Sequence, residues 1–165
     1  MHHLMTSLVV LCLAAFLAAL LAQVPPSPSR SIFREVTFAP YDAIRLGETT
    51  SRNAPAGEPR GTDRIVLPAG FGGTGSITLQ FDRNNRVIAM HFAYPTAKDY
   101  PAFVANYLTS LGAPVSRASV DSARGQRERI VWEDPNTRFE IVRYTRHSHT
   151  LSLVSHLIDL KPKHH

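Results

Sequence analysis

The 165-residue chain has a single cysteine, Cys12, and it lies inside the apolar run Leu8–Ala22 (LVVLCLAAFLAALLA). One thiol can form no intramolecular disulfide and no zinc site built on several thiolates, so packing alone must hold the fold. There is no G-x-S-x-G nucleophile elbow, and no basic run interleaved with aromatics. Serine-hydrolase chemistry of that type and nucleic-acid binding are therefore without a signature. Lysine is scarce, three residues against fifteen arginines and thirteen acids, and the formal charge is +5. Guanidinium groups grip phosphate and carboxylate bidentately. Here the charges are spread along the chain, which reads as a solvated surface rather than a polyanion groove.

The one long apolar run sets the expected address. Fifteen apolar residues followed by the Pro/Ser-rich segment from Gln23 suit the h-region of a secretory signal peptide. Residues 1–22 are thus expected to be a signal peptide or N-terminal anchor, and the protein to be exported, either periplasmic or secreted. The stretch before the run has His2 and His3 but no Lys or Arg, and Leu20 stands where a cleavage site prefers a small residue. Residues 4–24, if uncleaved, give a membrane anchor and the only expected membrane contact. Lipidation is not expected, because Leu11 precedes Cys12 where a bacterial lipidation box takes Gly, Ala or Ser.

Removing residues 1–22 from 165 leaves 143, enough for one domain with a real core. Residues 23–31 read as a Pro/Ser-rich tether, 32–160 as the domain and 161–165 as a tail. An extended piece is expected at Ile32–Phe38, with a turn around Pro40. Leu46–Gly75 holds seven of nine glycines and three prolines, and reads as loops around one strand, Asp63–Leu67. Ser76–Asp82 alternates, with Ile77, Leu79 and Phe81 on one face and Thr78 and Gln80 on the other. The turn Arg83-Asn84-Asn85 leads into Arg86–Tyr94, whose Ile88, Met90, Phe92 and Tyr94 continue the apolar face. His91, Val87, Ala89 and Ala93 are placed opposite.

Tyr100–Leu111 is predicted to be a helix, capped by Asp99, with Pro101 in its first turn and Gly112 and Pro114 ending it. Its stripe is Phe103, Val104, Tyr107, Leu108 and Leu111. Strands are expected at Glu128–Glu133 (Ile130 and Trp132 inward), Arg138–Thr145 and Thr150–Asp159 (Leu151, Leu153 and Leu157 inward). The fold class is α+β: two layers, an antiparallel sheet of five to seven strands with one main helix on one face. Gly57-Glu58-Pro59 and Gly112-Ala113-Pro114 each precede three strands, which allows a degenerate tandem repeat.

The segment Ile44-Arg45-Leu46-Gly47-Glu48-Thr49-Thr50, the following G-x-P, the hairpin through Leu79-Gln80-Phe81-Asp82 and Trp132 together resemble the superfamily of the β-lactamase inhibitor protein and the small outer-membrane lipoproteins of the SmpA/OmlA type. The resemblance covers residues 44–159. It implies exported binding modules that dock on another protein through a sheet face or loops.

Several groups of residues suggest chemistry. Gly70-Phe71-Gly72-Gly73-Thr74-Gly75 spells G-x-G-x-x-G, but a strand and not a helix follows, so no helix N-terminus is available for a pyrophosphate. His147-Ser148-His149 has a spacing that, on a strand, aims two imidazoles at one face, although the segment also reads as a turn between the last two strands. With His91 or His156 it could complete a zinc site, and His147, His149 and His91 are the metal candidates. Thr78, Gln80, His91 and Arg129, with Val131, would share the outward face of the sheet and are the partner-binding candidates. Arg124, Arg127, Arg129, Arg138, Arg143 and Arg146 could bind an anionic envelope polymer. The expected function is a non-enzymatic module that binds a protein partner in the cell envelope, with no cofactor and no nucleic acid. A small secreted hydrolase or metal-dependent enzyme using the histidines is the alternative.

Overall fold

The computed structural model describes residues 31–37, 43–67, 75–95 and 99–160. The apolar run, most of the Pro/Ser segment, the Pro40 turn, Gly70–Thr74 of the glycine loop and the tail lie outside the described residues. Two short strands, β1 (Glu35–Val36) and β2 (Ile44–Arg45), pair with each other. The rest of the chain forms β3 (Glu58–Pro59), β4 (Arg64–Leu67), β5 (Ser76–Phe81), β6 (Val87–Tyr94), helix α1 (Tyr100–Leu111), β7 (Ser116–Ser122), β8 (Gly125–Glu133), β9 (Thr137–Arg146) and β10 (His149–Asp159). These strands make one eight-stranded sheet in the order β3-β4-β5-β6-β10-β9-β8-β7. Every neighbouring pair is antiparallel.

The α+β class with an antiparallel sheet and one described helix matches the sequence pattern. The strand number does not: the main sheet has eight strands rather than five to seven. The additions are the two-residue β3 and the edge strand β7, all seven of whose residues are exposed. No helix among the described residues is long and apolar enough to cross a membrane.

Local chemistry explains the elements that periodicity locates. At the β5–β6 turn, Asp82 Oδ1 accepts from the backbone N–H of Asn84 (2.8 Å) and Arg86 (2.9 Å), while Asn85 takes a left-handed φ of 58°. Asx residues tolerate that region and can bond their own turn. Asp99 Oδ1 accepts from Ala102 N–H at 3.2 Å and caps α1, which ends at Gly112 (φ 79°), whose N–H donates to Leu108 O at 3.0 Å.

Two bulges change the expected facing. Gln80 pairs with Ala89 but Phe81 with Val87, so Ile88 is the extra residue and Val87 turns into the core at 0% exposure. A second shift between Thr150 and Ser152 leaves Leu151 56% exposed rather than inward. One inserted residue reverses the phase of everything beyond it on a period of two. Leu108, expected in the buried stripe of α1, is 39% exposed.

The core lies on one face of the sheet. Ile77, Leu79, Val87, Met90, Phe92, Ile130, Trp132, Phe139, Ile141, Leu153 and Leu157 form its floor. Helix α1 lies over the sheet from the end of β6 to β8: the Phe103 ring meets Tyr94 of β6 at 4.7 Å, Tyr107 meets Phe139 of β9 at 4.6 Å and Trp132 of β8 at 6.2 Å. Trp132 Nε1 donates to Gly112 O at 2.9 Å, satisfying the one polar atom of a side chain only 1% exposed. The β4–β6 half is covered by Ile44 and Leu46, in a segment that makes tight turns where a repeat of α1 would need a helix. Gly47 N–H donates to Val87 O (2.7 Å) and Val87 N–H to Thr49 O (2.8 Å), which pins this cover to β6.

Arg34 clamps the N-terminal segment to the sheet. Nη1 donates to Asn136 O (3.0 Å), Thr137 Oγ1 (2.9 Å) and Asp159 Oδ1 (3.3 Å), and Nη2 to Asp159 Oδ2 (2.9 Å) and Leu46 O (3.2 Å). The Asp159 side chain is 5% exposed, so removing its cation is costly. Arg34→Ala should lower unfolding free energy by about 3 kcal/mol, the usual cost of breaking a largely buried, charge-assisted pair. Urea unfolding with an unchanged m-value checks it, and Arg34→Lys should recover only part of the loss because an ammonium cannot reach five acceptors.

Candidate functional site

The helix-free face of the sheet is where the sequence placed its binding candidates. Strand register makes it a set of cross-strand rows. One row runs Val66, Thr78, His91, His156, Glu140, Val131, and crosses β4, β5, β6, β10, β9 and β8. The row on one side is Arg64, Gln80, Ala89, Ile158, Arg138, Glu133, and on the other Ser76, Ala93, Val154, Val142, Arg129. Directly opposed residues have Cβ atoms about 5 Å apart, so each row is a line of touching side chains.

Thr78, Gln80 and His91 therefore gather as expected: Thr78 faces His91 across β5–β6, and Gln80 Oε1 lies 3.5 Å from His91 Nε2. Arg129 shares the face, but β10 and β9 stand between it and His91. It connects through Glu140, whose Oε2 accepts from Arg129 Nε at 3.0 Å and also from Nη2. Val131, at 5% exposure, is buried among its neighbours on this face, as are Ala89 and Val142.

The centre of the row is a pair of imidazoles. His91 and His156 are edge to face, with ring centroids 4.7 Å apart and Nδ1 atoms 2.5 Å apart. Gln80 Nε2 lies 3.5 Å from Asp63 Oδ2, which turns its Oε1 toward His91. The network assigns the tautomers: His91 Nε2–H donates to Gln80, His91 Nδ1 accepts from His156 Nδ1–H, and His156 Nε2 keeps its lone pair. Burial, then the neighbouring His156 and Arg64, push His91 down to about 4. Burial also lowers His156, against the raising influence of Glu140. At pH 7 both rings are neutral. Chemically the arrangement offers an acceptor nitrogen on His156, set between His91 and a charge-compensated Glu140–Arg129 pair, with Thr78 on the far side of His91.

His147 and His149 do not join this pair. His147 and Ser148 form the two-residue β9–β10 turn, with left-handed φ of 47° and 66°, and His149 pairs with Arg146. His149 precedes His156 by seven positions on β10, about 23 Å along a strand. Among the described residues no group of three or more His, Cys, Asp or Glu could hold a metal ion. The arginines of the expected anionic site are also dispersed. Arg143 is on the core face with Glu128, Arg138 is bound to Glu133 and Arg127 lies over the Tyr144 ring at 5.7 Å. Glu140 was missed by sequence reasoning. His156 was seen only as a possible metal ligand, although its even spacing from Val154 and Ile158 marks the same face. Comparison with family models, characterised proteins and solved structures finds no match.

The His pair makes stability depend on pH. An unfolded histidine takes its proton near pH 6.5, whereas folded His91 refuses it until about pH 4. Stability is therefore complete above about pH 6.5 and falls as pH drops toward about 4. NMR titration of the imidazole C–H signals should give His91 near 4 with His156 below its ordinary value, and His91→Gln should flatten the acid limb of stability. A His91 that titrates at its ordinary value would contradict this arrangement.

Proposed function

We propose that the protein is an exported, non-enzymatic binding module of the cell envelope that docks a protein partner on the helix-free face of its sheet, around Thr78, Gln80, His91, His156 and Arg129. The observation that supports this reading most is the contrast between the two faces. One carries the hydrophobic core under α1 and the Ile44–Leu46 cover, whereas the other presents the His91–His156 row with no element of the described residues laid over it. The apolar run Leu8–Ala22 supports export. Preorganised polar groups around small buried apolar residues suit a protein surface, which pairs fixed hydrogen-bond groups with modest apolar burial.

We further read the two meanders, β3–β6 and β7–β10, as halves of a duplication, each beginning at a G-x-P and meeting at β6–β10. This is the arrangement implied by the resemblance to the inhibitor and lipoprotein superfamily.

Titrating the immobilised full chain with envelope extract in mild detergent tests the docking face. A partner should bind saturably, and Thr78→Arg, which sets a bulky cation beside His91, should weaken it at least about tenfold, as loss of an interface centre does. Asn106→Glu on the exposed side of α1 should leave binding unchanged. Failure to recover a saturable partner, or equal loss in both variants, would count against the reading.

A further inference from the structure

The two edges of the sheet are built differently. At one end β3 is two residues long and contains Pro59, which has no N–H to offer a further strand. At the other end β7, Ser116-Arg117-Ala118-Ser119-Val120-Asp121-Ser122, is seven residues long with every residue exposed. It has no proline or lysine, and no register shift against β8. Nothing among the described residues pairs with its outer edge. Edges of this length are normally blunted by charge, proline or a bulge.

The hydrogen-bond phase of that edge follows from the register. Ser122 pairs with Gly125 across a two-residue turn, so this is a hydrogen-bonded pair. Alternation then makes Val120–Arg127, Ala118–Arg129 and Ser116–Val131 hydrogen-bonded as well. The N–H and C=O groups of Arg117, Ser119 and Asp121 consequently point away from β8, toward the free edge.

We propose that β7 is a homodimerisation edge: two copies pair their β7 strands antiparallel about a two-fold axis at Ser119, joining two sheets into one. In this register Ser119 faces Ser119 of the second copy, and Arg117 faces Asp121 twice over by symmetry. All three outward-pointing residues then fall in hydrogen-bonded pairs, supplying about six backbone bonds. Opposite charges meet on one face of the seam, while on the other Val120, 61% exposed in the single chain, meets Ala118. Shifting the axis to Ala118 sets Asp121 opposite Val115, and shifting it to Val120 sets Arg117 opposite Ala123, so both lose the charge pairing. Arg117 uses Nε and Nη2 on Glu128 (3.0 and 2.7 Å) and retains N–H donors for a second carboxylate. An isologous contact closes on itself, so an open strand edge is compatible with a discrete dimer rather than a fibre.

Register-specific cross-linking of the full chain, purified in mild detergent with Cys12→Ser, tests this. Ser119→Cys should give a disulfide dimer on mild oxidation, because opposed residues across a strand pair lie within disulfide reach. Ser116→Cys and Ser122→Cys should each fail alone, their own copies standing about 20 Å apart, and should cross-link when mixed. Asp121→Arg, which sets Arg opposite Arg117, should reduce Ser119→Cys cross-linking roughly tenfold with an unchanged melting temperature. A Ser119→Cys chain that stays monomeric, or Ser116→Cys cross-linking as well alone, would overturn the proposal.

Discussion

The rest of the structure depends on a mismatch of widths. Eight strands at about 4.8 Å spacing span about 34 Å, whereas a twelve-residue helix is about 18 Å long and 10 Å across. Helix α1 can therefore cover only part of the sheet, from the end of β6 to β8. The remaining part must be closed by an irregular segment, whose backbone then needs partners of its own. This is why Ile44–Ala54 is bonded to β6 through Gly47, Thr49 and the Thr50–Arg86 bridge, and why Arg34 spends five hydrogen bonds on the ends of β9, β10 and the cover. With both covers used on one face, none is left among the described residues for the other.

The same shortage of cover explains the polar closure at the far end of the core. Glu128 projects on the core face in line with Ile130 and Trp132, and is 8% exposed. Burial alone would raise its pKa, but the Arg117 bonds and the Arg143 charge prevail and hold it below the usual carboxylate range. Arg143 is in turn stacked on Tyr100, its Cζ 3.7 Å from the ring centroid. Beyond this row the β7–β8 and β9–β10 hairpins continue with no helix above them. On the opposite, helix-free face the exposed Val120 and Tyr144, with Leu151 of the β10 bulge, line an open groove of about 550 Å³. The buried ion cluster thus marks where packing by α1 stops.

How much of this was legible follows from how each residue is read by its surroundings. The β5–β6 hairpin and α1 could be located because Ile77, Leu79 and Phe81 keep strict alternation and because Asp99 and Gly112 bracket a helical stripe. The strand β7 could not, since periodicity records burial and this strand buries nothing. The Ile88 and Leu151 bulges are silent for a related reason: both residues are apolar, so a phase reversal looks like continuation. At the site, Thr78, Gln80 and His91 follow from local alternation. The meeting of His91 with His156 depends on pairing strands 65 positions apart, which no local spacing encodes. The H-x-H at His147 and His149 follows its turn reading: His147 and Ser148 form the two-residue turn and His149 opens β10, so the two imidazoles do not share a strand face.

The His pair sits where the two meanders join. Among the described residues β6–β10 is the only strand pairing between them, so any partner that bridges the His91–His156 row touches both halves at once. A charged His91 would lose solvation in a half-buried setting and sit near the Arg64 charge, with only Glu140 to offset it, and Glu140 is already engaged by Arg129. Neutrality is thus imposed on the seam first by burial and only then by neighbouring charge. The centre of the exposed face stays uncharged at neutral pH while its flanks carry Arg129, Glu140, Arg138 and Glu133 in compensated pairs. Such a surface rewards shape and hydrogen-bond complementarity more than net charge. Four of the arginines, Arg117, Arg129, Arg138 and Arg143, accordingly tie strands together through carboxylates held across the sheet.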